Sequence, residues 1–134
     1  MGSETSLKSL VEHAKQQIRE ISVHDALQRL QNGNARVLDV REPVEYAKGT
    51  AENALHTPRG MLEAKADREY AGRDPALQDR SQELLLICKS GQRSALAAVS
   101  LVQMGFTNVV SVAGGFDDWV KQGLPLVVPD KCAY

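Results

Sequence analysis

The residues best suited to chemistry form one short segment, Cys88-Lys-Ser-Gly-Gln-Arg-Ser94. A cysteine thiolate is a strong nucleophile, and nearby positive charge favours the thiolate over the thiol. Lys89 and Arg93 supply two cations close to the sulfur. Gly91 permits backbone angles that a side chain would forbid, so the amides between them can turn inward and cradle an anion. The segment therefore predicts a nucleophilic cysteine inside an anion-binding loop.

The elements on either side of this segment predict where it lies. A strand is predicted over residues 83–87, because the four consecutive apolar side chains at 84–87 are typical of a central strand in a parallel sheet. A helix is predicted over residues 94–104, with its positive end towards the loop. This arrangement brings Cys88 to the carboxyl edge of the sheet, where open α/β folds bind ligands. We expect a closed loop and a thiol that water can reach; the alternative is an inert cysteine at a strand end.

The rest of the chain alternates helical and strand patterns, which predicts an α/β domain with a mainly parallel sheet. Further helices are expected over residues 6–21, 23–30 and 60–70, from Glu42 to a stop at Gly49, and after Gly114-Gly115. Further strands are expected over residues 36–40, 54–57 and 108–112. The predicted division is an N-terminal helical extension over residues 1–20, one domain over residues 21–128 and a tail over residues 129–134.

Composition narrows the classes of function. A chain of 134 residues with 43% apolar and 25% charged residues suits one globular domain. The net charge of −1 gives no field for nucleic acid, and no apolar stretch is long enough to span a membrane, so we expect a cytoplasmic protein with neither partner. Two distant cysteines, Cys88 and Cys132, argue against a disulfide scaffold and a zinc site. No cofactor or metal is expected, and Cys132 is more simply a bystander than a resolving thiol.

The segment 88–94, followed by the small-residue helix start Ala95-Leu-Ala-Ala98, resembles the active-site loop of the rhodanese family. Residues 38–42, 45–49, 53–58 and 112–119 resemble other motifs of that family in the same order. The resemblance covers about residues 20–126. It implies a rhodanese-like three-layer α/β/α fold around a central, mainly parallel sheet. It also implies a sulfurtransferase that carries sulfur as a persulfide on Cys88.

The resemblance further implies the roles of individual residues. Cys88 is the expected catalytic residue, and the expected substrate-binding residues are Lys89, Ser90, Gly91, Gln92, Arg93, Ser94 and Arg59. The loop amides would hold the persulfide while Lys89 and Arg93 orient the donor. The expected donor is a small anion such as thiosulfate, and the expected acceptor is a thiol or cyanide. A protein that exchanges persulfide with this chain is a further partner left open.

Two other functions use a similar loop. Dual-specificity phosphatases of related fold also place a cysteine and an arginine around an anion, but their loop is one residue longer than the four residues between Cys88 and Arg93. A smaller ring of amides suits a single sulfur atom better than a phosphate, and no general acid is evident in the sequence. A non-enzymatic persulfide carrier or regulatory module would retain the same cysteine and stays open.

Other side chains that could do chemistry are expected to be structural. Asp39 lies in the first predicted strand and Arg41 directly follows it, and both more simply form hydrogen bonds than contact substrate. His56 is expected to be packed rather than to act as a base. Helical spacing predicts a set of core residues near the end of the domain: Phe116, Trp119 and Val120.

Overall fold

A five-stranded, all-parallel sheet forms the centre of the molecule, in a computed structural model that describes residues 4–129. The strand order is β1-β5-β4-β2-β3, and each neighbouring pair is parallel. The strands are β1 Glu20–Ile21, β2 Ala35–Asp39, β3 Leu55–His56, β4 Glu83–Ile87 and β5 Val109–Val112. The mainly parallel sheet predicted from the sequence is confirmed.

Helices cover both faces of the sheet, which confirms the three-layer α/β/α arrangement. They are α1 Leu7–Gln17, α2 Val23–Gln31, α3 Pro43–Tyr46, α4 Leu62–Ala66, α5 Gln92–Gln103 and α6 Gly115–Lys121, with 3₁₀ turns at Arg59–Met61 and Pro75–Leu77. Leu86 and Cys88 pack towards α4 and α5, whereas Leu85 and Ile87 pack towards α2 and α6. Alternate residues of β4 therefore supply two separate cores, as expected for a strand buried on both sides.

The first predicted helix is shorter than expected. It begins at the capping hydroxyl of Ser6 and ends at Gln17, while Glu20–Ile21 form the unpredicted strand β1. The carbonyl of Ile21 accepts the amide of Ala113, so pairing with β5 replaces continued helix. Of the apolar positions in this helix, Val11 and Ala14 are buried, and Leu7 is 57% exposed. Helix α1 contacts α5 on the Cys88 side of the sheet.

The helix predicted over residues 60–70 is also wrong in length, because α4 ends at Ala66. Its continuation is replaced by side-chain hydrogen bonds to the backbone. The Gln78 amide donates to the carbonyls of Lys65, Asp67 and Asp74, which holds the following loop against the helix end. Among residues 4–129, no helix is long and apolar enough to cross a membrane.

Candidate active site

Cys88 lies directly after β4, and three hydrogen-bonding groups converge on its sulfur. The amide of Gly91 donates to Sγ at 3.1 Å and the amide of Ser94 at 3.4 Å. The Ser94 hydroxyl is also 3.4 Å from Sγ. Helix α5 begins at Gln92 rather than at the predicted Ser94. Ser94 is consequently in the first turn, where amides have no partner within the helix and are free to bind the sulfur.

Gly91 makes the tight turn of the loop possible. Its φ of 101° lies in the left-handed region, where side chains are strained. A Cβ at this position would also lie 3.4 Å from the amide nitrogen of Gly114. The loop and the glycine-rich turn after β5 are therefore packed backbone to backbone.

The start of α6 holds the first half of the loop. The amide of Phe116 donates to the carbonyl of Cys88 at 2.8 Å, and the amide of Asp117 donates to that of Lys89 at 2.9 Å. A side chain at Gly115, which has a φ of 58°, would collide with both carbonyl oxygens. The Gly114-Gly115 turn thus shapes the loop directly, a contact that the sequence motifs alone did not predict.

The sulfur is more completely covered than expected. Cys88 is only 1% exposed, although the loop is closed as predicted. The cause is the direction of the side chain, which points to the sheet face covered by α5 and lies against Ser94. The expectation that water can reach the thiol is therefore wrong for this conformation.

Arg93 is held by a carboxylate rather than directed freely into the loop. Its guanidinium makes two hydrogen bonds to Glu45 in α3, at 2.8 and 3.0 Å. The hydrogen bond from Arg93 lowers the pKa of Glu45 to about 2. The same hydrogen bond raises the pKa of Arg93. This pair connects α3 to the first turn of α5 at the edge of the loop.

The other predicted cations are also paired. Lys89 binds Asp117 at 3.1 Å in an exposed ion pair. Arg59 donates to Glu63 at 3.0 Å and to the Ser100 hydroxyl at 3.1 Å, which ties the 3₁₀ turn before α4 to α5. The two remaining predicted loop residues, Ser90 and Gln92, are exposed.

A cavity of about 350 Å³ opens beside the loop. It is lined by Arg41, Glu45, Lys48, Lys89, Phe116, Asp117 and Val120. Val120 is 58% exposed here, so the prediction that it belongs to the core is wrong, whereas Phe116 and Trp119 are buried as predicted. A larger cavity of about 570 Å³ lies near the amino end of β2, at the sheet edge opposite Cys88.

Comparison with known proteins identifies the fold family. A family model described as the rhodanese-like domain matches residues 22–122. The chain belongs to the rhodanese-like domain family. A thiosulfate sulfurtransferase, GlpE of Actinobacillus pleuropneumoniae serotype 3, is 35% identical over 107 residues, which is 80% of this chain and 91% of that protein.

Two solved structures resemble this chain over nearly its whole length. The polysulfide-sulfur transferase homodimer of Wolinella succinogenes matches with a TM-score of 0.70 and 30% identity, over 95% of this chain and 90% of the other. A Rhodopseudomonas palustris protein of unknown function, described as a possible tyrosine phosphatase, matches with a TM-score of 0.86 and 28% identity, over 95% and 98%. Family membership and the named relatives support a sulfurtransferase.

The side chains expected to be structural in this rhodanese-like domain make hydrogen bonds within it. Asp39 is fully buried and accepts hydrogen bonds from the backbone and guanidinium of Arg41 and from Thr50. His56 is packed, with Nε2 2.8 Å from the carbonyl of Arg41 and its ring stacked on Tyr46. These contacts fix the end of β2 beside the loop. Cys132 lies outside the described residues.

Sequence reasoning missed two side chains that contact the predicted loop residues. Glu45 was noted only as part of a motif, and Ser111 was not considered at all. The Ser111 hydroxyl is 2.9 Å from that of Ser94, and both residues are fully buried. A serine within the otherwise apolar strand β5 was the signal available in the sequence.

Proposed function

We propose that this protein transfers a sulfane sulfur atom from thiosulfate, or a related persulfide donor, to a nucleophilic acceptor through a persulfide on Cys88. The observation that carries the proposal is the convergence of the Gly91 amide, the Ser94 amide and the Ser94 hydroxyl on one sulfur atom. The two amides donate to the sulfur, and the Ser94 hydroxyl, which accepts from the thiol, can donate to a thiolate. Hydrogen bonds of this kind stabilise a sulfur anion. The thiosulfate sulfurtransferase named among the relatives supports this choice of donor.

The first half-reaction is a displacement at sulfur. The Cys88 thiolate attacks the outer sulfur of thiosulfate and forms a new S–S bond. The S–S bond of thiosulfate breaks, and its electron pair leaves with sulfite. The two anions that react carry three negative charges, as do the persulfide and the sulfite that are formed. No proton is transferred in this step, which agrees with a loop built of fixed hydrogen-bond donors.

The second half-reaction restores the enzyme. A thiolate or cyanide attacks the outer sulfur of the persulfide, the bond to the Cys88 sulfur breaks, and the thiolate is regenerated. The products are an acceptor persulfide or thiocyanate. The loop amides of residues 89–94 would hold the outer sulfur between the two steps, since amides directed into a tight loop favour an anion.

The cations would act on the donor rather than on the resting sulfur. Lys89 and Arg93 are each paired with a carboxylate, so thiosulfate must compete with Asp117 and Glu45 for them. The Lys89 pair is exposed and therefore weak, which makes this lysine the easier of the two to recruit. A donor-binding role has the least structural support for Arg59, because this residue must leave its contacts in α4 and α5 to reach a donor.

Mass spectrometry after thiosulfate treatment tests the proposal. We expect a gain of one sulfur atom on the tryptic peptide of residues 81–89, and loss of this gain with cyanide. Cys88→Ser removes the gain, whereas Cys132→Ser is the matched control that retains it. Sulfur found on other peptides but not on this one would overturn the assignment of Cys88.

Two alternatives remain testable on the same protein. A persulfide carrier is favoured by the near-complete burial of Cys88, and it would load rapidly from a protein persulfide but slowly from free thiosulfate. A phosphatase would hydrolyse an aryl phosphate in a reaction lost in Cys88→Ser. The cytoplasmic location, the domain boundaries at residues 21 and 128 and the absence of membrane and nucleic-acid partners stay predictions.

A further inference from the structure

Ser111 is an exception within its strand. The other residues of β5 are Val109, Val110 and Val112, and all four are buried. A hydroxyl in such surroundings is unfavourable unless it is hydrogen bonded. Among the described residues, the hydrogen bond shown for the Ser111 hydroxyl goes to the Ser94 hydroxyl, at 2.9 Å.

The register of the sheet places this serine next to the reactive sulfur. Ser111 pairs with Leu86, whose side chain faces the same side of the sheet as Cys88, because the two residues are two positions apart on one strand. Ser94, from the first turn of α5, lies between them. Its hydroxyl contacts the Cys88 sulfur at 3.4 Å and that of Ser111 at 2.9 Å. The three side chains form a buried row.

The direction of the hydrogen bonds along this row depends on the charge of the sulfur. When Cys88 is a neutral thiol, it donates to the Ser94 hydroxyl, and Ser94 donates to Ser111. When Cys88 is a thiolate, Ser94 donates to its sulfur, and Ser111 donates to Ser94. Only the second arrangement uses both hydroxyl protons in the contacts of the row, and successive hydrogen bonds strengthen one another when they point the same way.

We propose that Ser111 is a positioning residue for sulfur transfer, which orients the Ser94 hydroxyl towards the Cys88 sulfur anion. The inference rests on the proposed role of Cys88 as the sulfur carrier. It adds a residue that touches neither donor nor acceptor and lies on a different strand from the loop. In this role Ser111 matters only while Ser94 has a hydroxyl to orient.

A double-mutant cycle tests this dependence. The variants are Ser94→Ala, Ser111→Ala and the pair, with Thr107→Ala as a control that removes a hydroxyl just before β5, where it binds the carbonyl of Arg80. The readout is the rate of iodoacetamide alkylation of the peptide of residues 81–89, measured across pH. Alkylation follows the thiolate whatever the sulfur donor is, so a failure of the thiosulfate proposal would not change it.

We expect the alkylation rate near neutral pH to fall about tenfold in Ser94→Ala and about three- to fivefold in Ser111→Ala, as for the loss and the weakening of one hydrogen bond to a charged group. The pH midpoint of alkylation should rise in both. The charged groups on the elements around the sulfur are Arg93 and Lys89 on the loop, Glu45 on α3, Asp117 on α6, Asp39 and Arg41 at the end of β2, and Lys48 after α3. None of them is altered in these variants, so the rise would report the hydroxyls.

The decisive comparison is the effect of Ser111→Ala when Ser94 is already alanine. Equal alkylation rates in the double variant and in Ser94→Ala alone support the proposal. An equal loss in both backgrounds would show that Ser111 acts on packing instead, and an unchanged rate in Ser111→Ala alone would overturn the inference. Thermal unfolding of each variant identifies any loss of folded protein, which would lower the rates without moving the pH midpoint.

Discussion

Replacing Glu45 by glutamine tests how firmly the loop arginine is held. The wild-type carboxylate accepts two hydrogen bonds from Arg93, and its pKa falls from 4.5 to about 2, chiefly because of the Arg93 hydrogen bond. A change of that size corresponds to about 3 kcal/mol of stabilisation. Both side chains are partly exposed, at 33% and 26%, so solvent screening reduces the expected contribution to about 1–2 kcal/mol.

The sign of the pH dependence follows from the lowered pKa of Glu45. A carboxyl group with a lower pKa in the folded state stabilises the fold above its unfolded value, and loses this effect as pH falls from about 4.5 towards 2. Glu45→Gln should therefore lower the unfolding temperature by about 4–8 °C at pH 7. The difference between variant and wild type should shrink steadily below pH 4.5. Glutamine still accepts the amide of Glu42 that caps α3, so the helix start is retained.

The same variant should change donor binding. Freed from its carboxylate, Arg93 is available to thiosulfate, and we expect the KM for thiosulfate to fall severalfold with little change in kcat. Steady-state thiocyanate production and urea unfolding at several pH values measure both effects. Glu83→Gln is the matched control, because it removes a comparable ion pair, with Arg29 at 2.8 Å, far from the loop. A pH-independent loss of stability, or an unchanged KM, would refute this reasoning.

Three further substitutions examine the site and its support. Gly115→Ala should abolish most activity and lower stability, because the added Cβ collides with two loop carbonyl oxygens. Gly33→Ala is its control, since the Cβ there meets open space, and it should change only stability. Thiocyanate production and unfolding curves measure the two effects. Arg93→Ala should raise the KM for thiosulfate about tenfold or more, as for loss of one charge-assisted contact, and an unchanged KM would remove it from donor binding. Asp39→Asn should destabilise the fold by about 3 kcal/mol or more, because it leaves Arg41 buried without its anion, which chemical denaturation would detect.

Local patterns in the sequence were sufficient for the elements that deliver the cysteine. Strand β4 begins and ends as predicted, because four consecutive apolar residues between polar flanks leave little choice. The loop was predictable for a similar reason, since Gly91 and the cation spacing are encoded within seven residues. Helix α4 was mispredicted because Gln78, twelve residues beyond its end, supplies the hydrogen bonds that terminate the pattern.

Contacts between distant residues account for what could not be predicted at the site. Glu45 and Arg93 lie 48 positions apart, and Ser94 and Ser111 lie 17 apart. The first pair forms because α3 and the start of α5, which follow the adjacent strands β2 and β4, meet at one edge of the sheet. The second pair forms because the first turn of α5 packs over the face of β5 that carries Ser111. The burial of Cys88 has the same origin, since it depends on how closely the start of α5 packs over the end of β4. The number of residues between two positions does not show how far apart they lie in the folded chain.

The charge balance around the loop bears on why sulfur rather than phosphate suits this site. Both cations of the loop are paired with carboxylates, so the groups left to stabilise charge at Cys88 are mainly neutral amides and a hydroxyl. A thiolate or a persulfide carries one diffuse negative charge, which neutral donors can accommodate. A bound phosphate dianion would need at least one cation released from its carboxylate for as long as it stayed. Thiosulfate also needs a released cation, but only until sulfite departs, after which the ion pairs can re-form beside the persulfide. Because both loop cations are paired with carboxylates in the free protein, the loop favours an anionic donor that stays briefly over an anion that stays bound.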